Sequence, residues 1–129
     1  MKKVVDIFKA LSDPTRLRIL FLILKAKSEI CSCEICDSLI EPQYSISRNI
    51  KVLKYAGLLS ERKEGKWVYY FSNRQSEQFY PELYRALEFL PDSGRILKQD
   101  LARFRNRLKL REGGKCLIGI QNKSLITLT

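Results

Sequence analysis

The sequence predicts a mainly α, winged helix-turn-helix fold: a helical core plus a two-stranded β wing, assembled as a homodimer. Three observations predict it. Apolar residues recur at helical spacing in both the first and the last third of the chain. In the middle, a short helical stretch, a proline turn and a second helix with polar and basic outer positions follow one another, as in helix-turn-helix proteins. Directly after them, two β-prone runs flank Glu64-Gly65, which reads as a hairpin.

Taken in order, Val4, Val5, Phe8 and Leu11 mark a first helix over about residues 2–11. Asp13-Pro14 then starts a second, because the carboxylate caps free amides while proline at the first helical position needs no N–H. That helix runs to about residue 25. Leu17, Leu20, Phe21 and Leu24 form its stripe, and Ile19, Leu22 and Ile23 widen it enough to make it the central core element. Residues 34–39 read as a short helix stopped by Glu41-Pro42, since proline forces its predecessor out of the helical region. Residues 44–55 form the next, with Ile46, Ile50 and Leu53 inward and Gly57 closing it. The wing is expected from strands over 58–63 and 66–72, with Trp67, Tyr69 and Phe71 serving hairpin packing. Helices over 76–90 and 93–110 complete a domain spanning residues 1–110, and residues 111–129 are a C-terminal tail whose structure the sequence leaves open. The first helix and the helix over 76–90 flank the winged motif with apolar stripes and are the expected dimer interface.

Composition narrows the function. The 129 residues carry 24 Lys and Arg against 14 Asp and Glu, a net charge of +10. Such a balance favours a polyanionic partner, because basic side chains release counterions from phosphates. The excess is densest over residues 43–74, where seven basic residues face two acidic ones. Histidine is absent, so the usual general base and the commonest metal ligand are missing, and an enzyme is not expected. The longest apolar run, Ile19 to Leu24, has six residues, against about twenty for a membrane span. No signal-peptide pattern precedes it, so a cytoplasmic protein with no membrane partner is expected.

The four cysteines are unevenly placed: Cys31, Cys33 and Cys36 lie together, and Cys116 stands alone in the tail. A cluster so tight, without an export signal, points to metal binding or redox sensing before a disulfide framework. The plainer reading is three small core residues. Cys33 and Cys36 share a helical face at i, i+3. Cys31 would point about 200° away from Cys33 in a continuous helix, so the three converge only if the helix start is unwound. Cys116 reads as a structural residue. The alternating run Arg103, Arg105, Arg107, Lys109, Arg111 reads as solvated charge.

At this point the sequence resembles the ArsR/SmtB family of metal-responsive winged-helix repressors, in particular its arsenic-responsive members. The likeness covers about residues 4–90. It is carried by Ala10-Leu-Ser-Asp-Pro-Thr-Arg-Leu-Arg-Ile-Leu20, Glu29-Ile-Cys-Ser-Cys-Glu-Ile-Cys-Asp37, Ser45-Ile-Ser-Arg48 with Leu53, and Gly57-Leu-Leu59 through Gly65-Lys-Trp-Val-Tyr-Tyr70. The family's metal motif is Glu-Leu-Cys-Val-Cys-Asp-Leu-Cys, from which this chain departs at Ile30, Ser32, Glu34 and Ile35 while keeping all three thiols. Where the family often has histidine, this chain has Asn49, still a suitable base or phosphate partner.

The resemblance implies a repressor released from double-stranded operator DNA by As(III) or Sb(III), with no cofactor required. Three thiolates without imidazole suit a three-coordinate thiophilic ion better than tetrahedral zinc, and Cys31, Cys33 and Cys36 are the expected ligands. The expected DNA contacts are Gln43, Tyr44, Ser45, Ser47, Arg48, Asn49 and Lys51 on the second helix of the motif, with Arg62, Lys63 and Lys66 at the wing. A redox sensor or a sensor of another soft metal on the same fold is the alternative. A small thiol enzyme or an RNA-binding module ranks below both.

Overall fold

The computed structural model describes residues 1–74 and 77–122. Among these, helices α1 (Lys2–Ala10), α2 (Pro14–Ala26), α3 (Ser32–Leu39), α4 (Gln43–Tyr55), α5 (Phe79–Leu87) and α6 (Ile96–Arg107) surround one core. A 3-10 turn, Leu108–Leu110, ends α6. Strands β1 (Ile30–Cys31), β2 (Leu59–Glu64) and β3 (Trp67–Ser72) form an antiparallel sheet in the order β1-β3-β2. The mainly α winged fold is as the sequence predicts. Ser76, the expected start of the fifth helix, lies outside the described residues.

The start of α2 follows the Asp13-Pro14 signal, with the Asp13 carboxylate accepting from the Arg16 N–H at 3.1 Å. Ile19, Leu20, Leu22 and Ile23 are buried around that helix, which therefore takes the central place that its wide apolar surface requires. Ile46, Ile50 and Leu53 bring α4 onto the same core. The wing turns at Gly65-Lys66, where Gly65 has φ +62°, a conformation that glycine adopts without a Cβ clash.

The sheet contains one strand more than the expected two. Residues 30 and 31 pair with β3, Ile30 opposite Tyr70 and Cys31 opposite Tyr69, so the β hairpin is joined to the segment that leads into α3. Two residues carry no readable alternation, and only the β3 edge makes them a strand.

α6 is fastened to α2 and α3 by buried ion pairs. Asp100, fully buried, accepts from Arg18 on α2 at 2.9 Å through each oxygen and from Arg103 at 2.8 Å. Arg107 binds Asp37 at 2.7 Å. Arg111 reaches both oxygens of Glu34 at 2.7 Å. The expectation of solvated charge is thus corrected for three of the five basic residues. Arg103 and Arg107, spaced i, i+4 on α6, share a face turned to α3, and Arg111, on extended backbone just past the 3-10 turn, reaches the same helix, while Arg105 and Lys109 are exposed. Among the described residues no helix is long and apolar enough to cross a membrane.

Candidate functional site

The α3-turn-α4 unit presents one polar surface. Tyr44, Arg48 and Lys51 are exposed on α4, and Gln43, Ser45 and Ser47 are half-buried near its start. Gln43 Nε2 lies 3.3 Å from Ser47 Oγ. Lys63 and Lys66 are exposed at the wing, where Lys66 Nζ stands 5.1 Å from the centre of the Trp67 ring. Arg62 is exposed but engaged: it pairs with Glu29, with Glu64 at 3.2 Å, and lies over the Tyr69 ring at 4.6 Å. Asn49 departs from the expected contact set. It is buried, its oxygen accepting from Arg16 at 3.1 Å and its amide donating to the Ser45 carbonyl at 2.9 Å, so it ties α2 to α4.

Behind this surface lies a group of thiols. The Sγ atoms of Cys31, Cys33 and Cys116 all fall within 4.8 Å of one another, and Cys33 and Cys116 are 3.5 Å apart. The extended backbone of Cys31 (φ −74°, ψ 154°) caps α3, while Cys33 is in its first turn. The strand-to-helix junction brings the Cys31 and Cys33 sulfurs together because Cys31 lies outside the helix, on extended backbone. Glu34, fully buried, holds the junction by accepting from the Cys31 N–H at 2.9 Å. Trp67, Tyr69 and Ile120 wall the sulfurs. An open groove lined by Cys31 and Cys33 also reaches Gln43 and Ser47 at the start of α4 and Lys66 and Trp67 on the wing.

The thiols differ in acidity. Cys33 is lowered to about 7, because Cys31, Cys116 and the Arg107 guanidinium favour its thiolate against the opposing effect of burial. Arg107 Nη2 stands 3.8 Å from that sulfur. Cys31 is raised by its hydrogen bond to Cys33 and by burial. Burial lifts Cys116 to about 11 and Cys36 to about 12, with Asp37 adding to the shift at Cys36. Cys36 is fully buried in the main hydrophobic core, outside the thiol group.

Comparison with known proteins fits this arrangement. A family model described as "Bacterial regulatory protein, arsR family" matches residues 13–61, the stretch from the α2 cap into β2. A helix-turn-helix-type transcriptional regulator of Methanocaldococcus jannaschii is 47% identical over 70 residues, covering 54% of this chain and 78% of that protein. The chain belongs to the ArsR family. Among its relatives, the arsenical resistance operon repressor of Escherichia coli is 46% identical over 66 residues, 51% of this chain and 56% of its own. An arsenic resistance transcriptional regulator of Pseudomonas putida is 40% identical over 78 residues, 60% of this chain and 67% of its own.

In this ArsR-family transcriptional regulator the structure brings Cys31 and Cys33 together and sets Cys116 beside them, a neighbour the sequence did not place there. Cys36, the expected third ligand, faces the core instead, since the face it occupies on α3 is the one that packs inward with Ile35 and Leu39. Cys116 was read as structural because nothing local distinguishes it: 83 residues separate it from Cys33. Arg107 was missed too, although its i, i+4 relation to Arg103, opposite the acidic pair Glu34 and Asp37 at i, i+3, was a readable signal.

Proposed function

We propose that the chain is a repressor that binds operator DNA as a homodimer, through α4 and the wing, and leaves it when As(III) or Sb(III) is bound by Cys31 and Cys33. The observation that carries the reading is the convergence of these sulfurs at the β1–α3 junction, at the end of a groove that opens on Gln43, Ser47 and Lys66. The donor set fits such an ion. It is all sulfur, with no imidazole in the chain to complete a tetrahedral zinc site. When bound, the ion supplies a soft centre that draws the sulfurs together. The protein does the rest: Cys31 is paired with Tyr69 on β3 and Cys33 lies in the first turn of α3, so contraction there shifts the wing strand against the helix that leads into α4. By linkage, operator DNA must weaken ion binding by the same factor that the ion weakens DNA binding.

Arg48, Lys51, Lys63 and Lys66 supply the basic side chains for phosphate, and Tyr44, Gln43 and Ser47 lie where base contacts concentrate. Dimerisation is assigned to α1 and α5. Val4, Val5, Phe8 and Phe79 expose 37%, 42%, 54% and 36% of their surface, and the Phe8 and Phe79 rings meet edge-on at 6.3 Å, giving one apolar face across both helices. A two-fold dimer matches a palindromic operator.

The test is fluorescence anisotropy of labelled operator DNA, titrated with sodium arsenite under full reduction. The wild-type protein releases DNA, whereas Cys31→Ser and Cys33→Ser bind DNA and ignore arsenite. Release of both variants at the wild-type arsenite concentration would overturn the reading. A second reading, thiol-redox sensing, draws on the 3.5 Å approach of Cys33 and Cys116. It requires release by an oxidant such as a peroxide, and none by arsenite in excess reductant.

A further inference from the structure

We infer that Cys116 is the third sulfur ligand of this soft-ion site and that residues 112–122 are a strap which ion binding fastens across α3. The inference rests on the proposed reading of Cys31 and Cys33 and names the ligand and segment that complete it.

Cys116 is fully buried although it sits in a segment without helix or strand, and its sulfur lies within 4.8 Å of the other two. The segment is placed there by polar bonds from three directions. The Cys116 N–H donates to Tyr69 Oη at 2.8 Å on the wing strand. Lys115 pairs with Glu64 at 3.2 Å at the wing's end. Beyond the cysteine, the Asp37 carboxylate accepts from the Gln121 N–H at 3.0 Å and the Asn122 N–H at 3.0 Å, while Arg107 Nη2 donates to the Ile118 carbonyl at 2.7 Å and the Gly119 carbonyl at 3.0 Å. An irregular segment loses about 1–2 kcal/mol of backbone entropy per ordered residue. Its apolar anchors are few, so these bonds are what hold the sulfur in register.

The plain alternative is a small side chain filling a gap. Arg107 argues against it. Its side chain is 5% exposed, and Nη1 has no hydrogen-bond partner among the described residues. Its charge is already paired with Asp37 at 2.7 Å, so what Nη1 lacks is an acceptor, and Nη2 of the same group stands 3.8 Å from the Cys33 sulfur. A buried donor without an acceptor is costly, and a sulfur held in place by an ion can accept from it. Cys36 cannot serve in the same way without turning α3 out of the core.

Binding balances without redox change. Three As–O bonds of As(OH)3 are replaced by three As–S bonds, and the three thiol protons leave with the hydroxyl groups as three waters. Where a sulfur is already a thiolate, the departing hydroxide takes its proton from solvent. The product ties the β1–α3 junction to a segment that also grips the wing at Tyr69 and Glu64 and α3 at Asp37.

The deciding experiment is X-ray absorption at arsenic on the full, reduced chain loaded with sodium arsenite, with binding affinity measured in parallel. Wild-type protein gives three sulfur neighbours. Cys36→Ser also gives three at unchanged affinity, which leaves only Cys31, Cys33 and Cys116 to supply them, since the chain has four cysteines. Cys116→Ser gives two sulfurs and an oxygen, with affinity lower by roughly 10–100-fold, the range seen even for outer-shell changes at metal sites. If Cys116→Ser does not fold, the Cys36→Ser result alone decides. Two sulfurs in Cys36→Ser, or three in Cys116→Ser, would overturn the inference while leaving Cys31 and Cys33 as ligands. Three sulfurs in Cys31→Ser or Cys33→Ser would instead defeat the reading on which it rests.

Discussion

Removing the carboxylate of Glu34 should cost more stability than any surface change in this protein. Glu34 is fully buried and accepts three bonds: two from Arg111 at 2.7 Å each, and one from the Cys31 N–H at 2.9 Å. Breaking a buried pair by deleting one partner costs about 3–5 kcal/mol. Losing the bond to the Cys31 amide, which closes the start of α3, costs about 1 kcal/mol more. Against this, the Arg111 side chain keeps 13% exposure and its bond to the Glu29 carbonyl at 2.7 Å, so part of its charge is relieved. The net for Glu34→Ala is about 3 kcal/mol. Against a total of about 5–15 kcal/mol for a typical domain, that is a large fraction. Arg111→Ala strands the buried carboxylate and should lose a similar amount. The double variant should lose much less than the two combined, giving a coupling of about 2–3 kcal/mol. Urea unfolding followed by circular dichroism measures all four proteins. A thermal scan should show each single variant melting roughly 10 °C lower. A coupling below about 0.5 kcal/mol would refute the assignment of this pair as the clamp between α3 and the end of α6.

Arg48→Ala should weaken operator binding without changing the urea midpoint, and Lys66→Ala should lower the salt slope of DNA binding by about one; unchanged affinity and slope would move the DNA surface elsewhere. Phe8→Glu, placing a charge in the exposed apolar face of α1 and α5, should shift sedimentation equilibrium at micromolar concentration from dimer to monomer. Tyr84 is raised to about 12 because it is buried, its hydroxyl 2.9 Å from the Asn73 carbonyl. Its folded value exceeds the ordinary value of about 10, so the stability it contributes is complete below pH 10 and is lost as pH rises through about 12. Tyr69 and Tyr70 are raised by burial as well, so absorbance at 295 nm should show a late-titrating group of phenols, one of which is lost in Tyr84→Phe.

What the sequence determined by itself is local. Asp13-Pro14 set the start of α2, Gly57 closed α4 and Gly65 shaped the wing turn, because each acts through bonds or torsions within a few residues, whereas α3 ends at a left-handed Ile40, ahead of Glu41-Pro42. Apolar periodicity likewise identified the helices, and the close spacing of Cys31, Cys33 and Cys36 singled out a thiol cluster, of which the structure brings Cys31 and Cys33 together. Tertiary structure decided what depends on long separations. Strand β1 exists only because β3 offers an edge to Ile30 and Cys31. Asn49 turned inward because Arg16, 33 residues earlier, claims its oxygen. Which basic residues after residue 100 are buried was settled by where Glu34, Asp37 and Asp100 lie across the helix packing. Cys36 went to the core and Cys116 to the site for the same reason. A side chain's neighbours across 83 residues are chosen by packing the whole chain, and no periodicity or cap in its own segment encodes them.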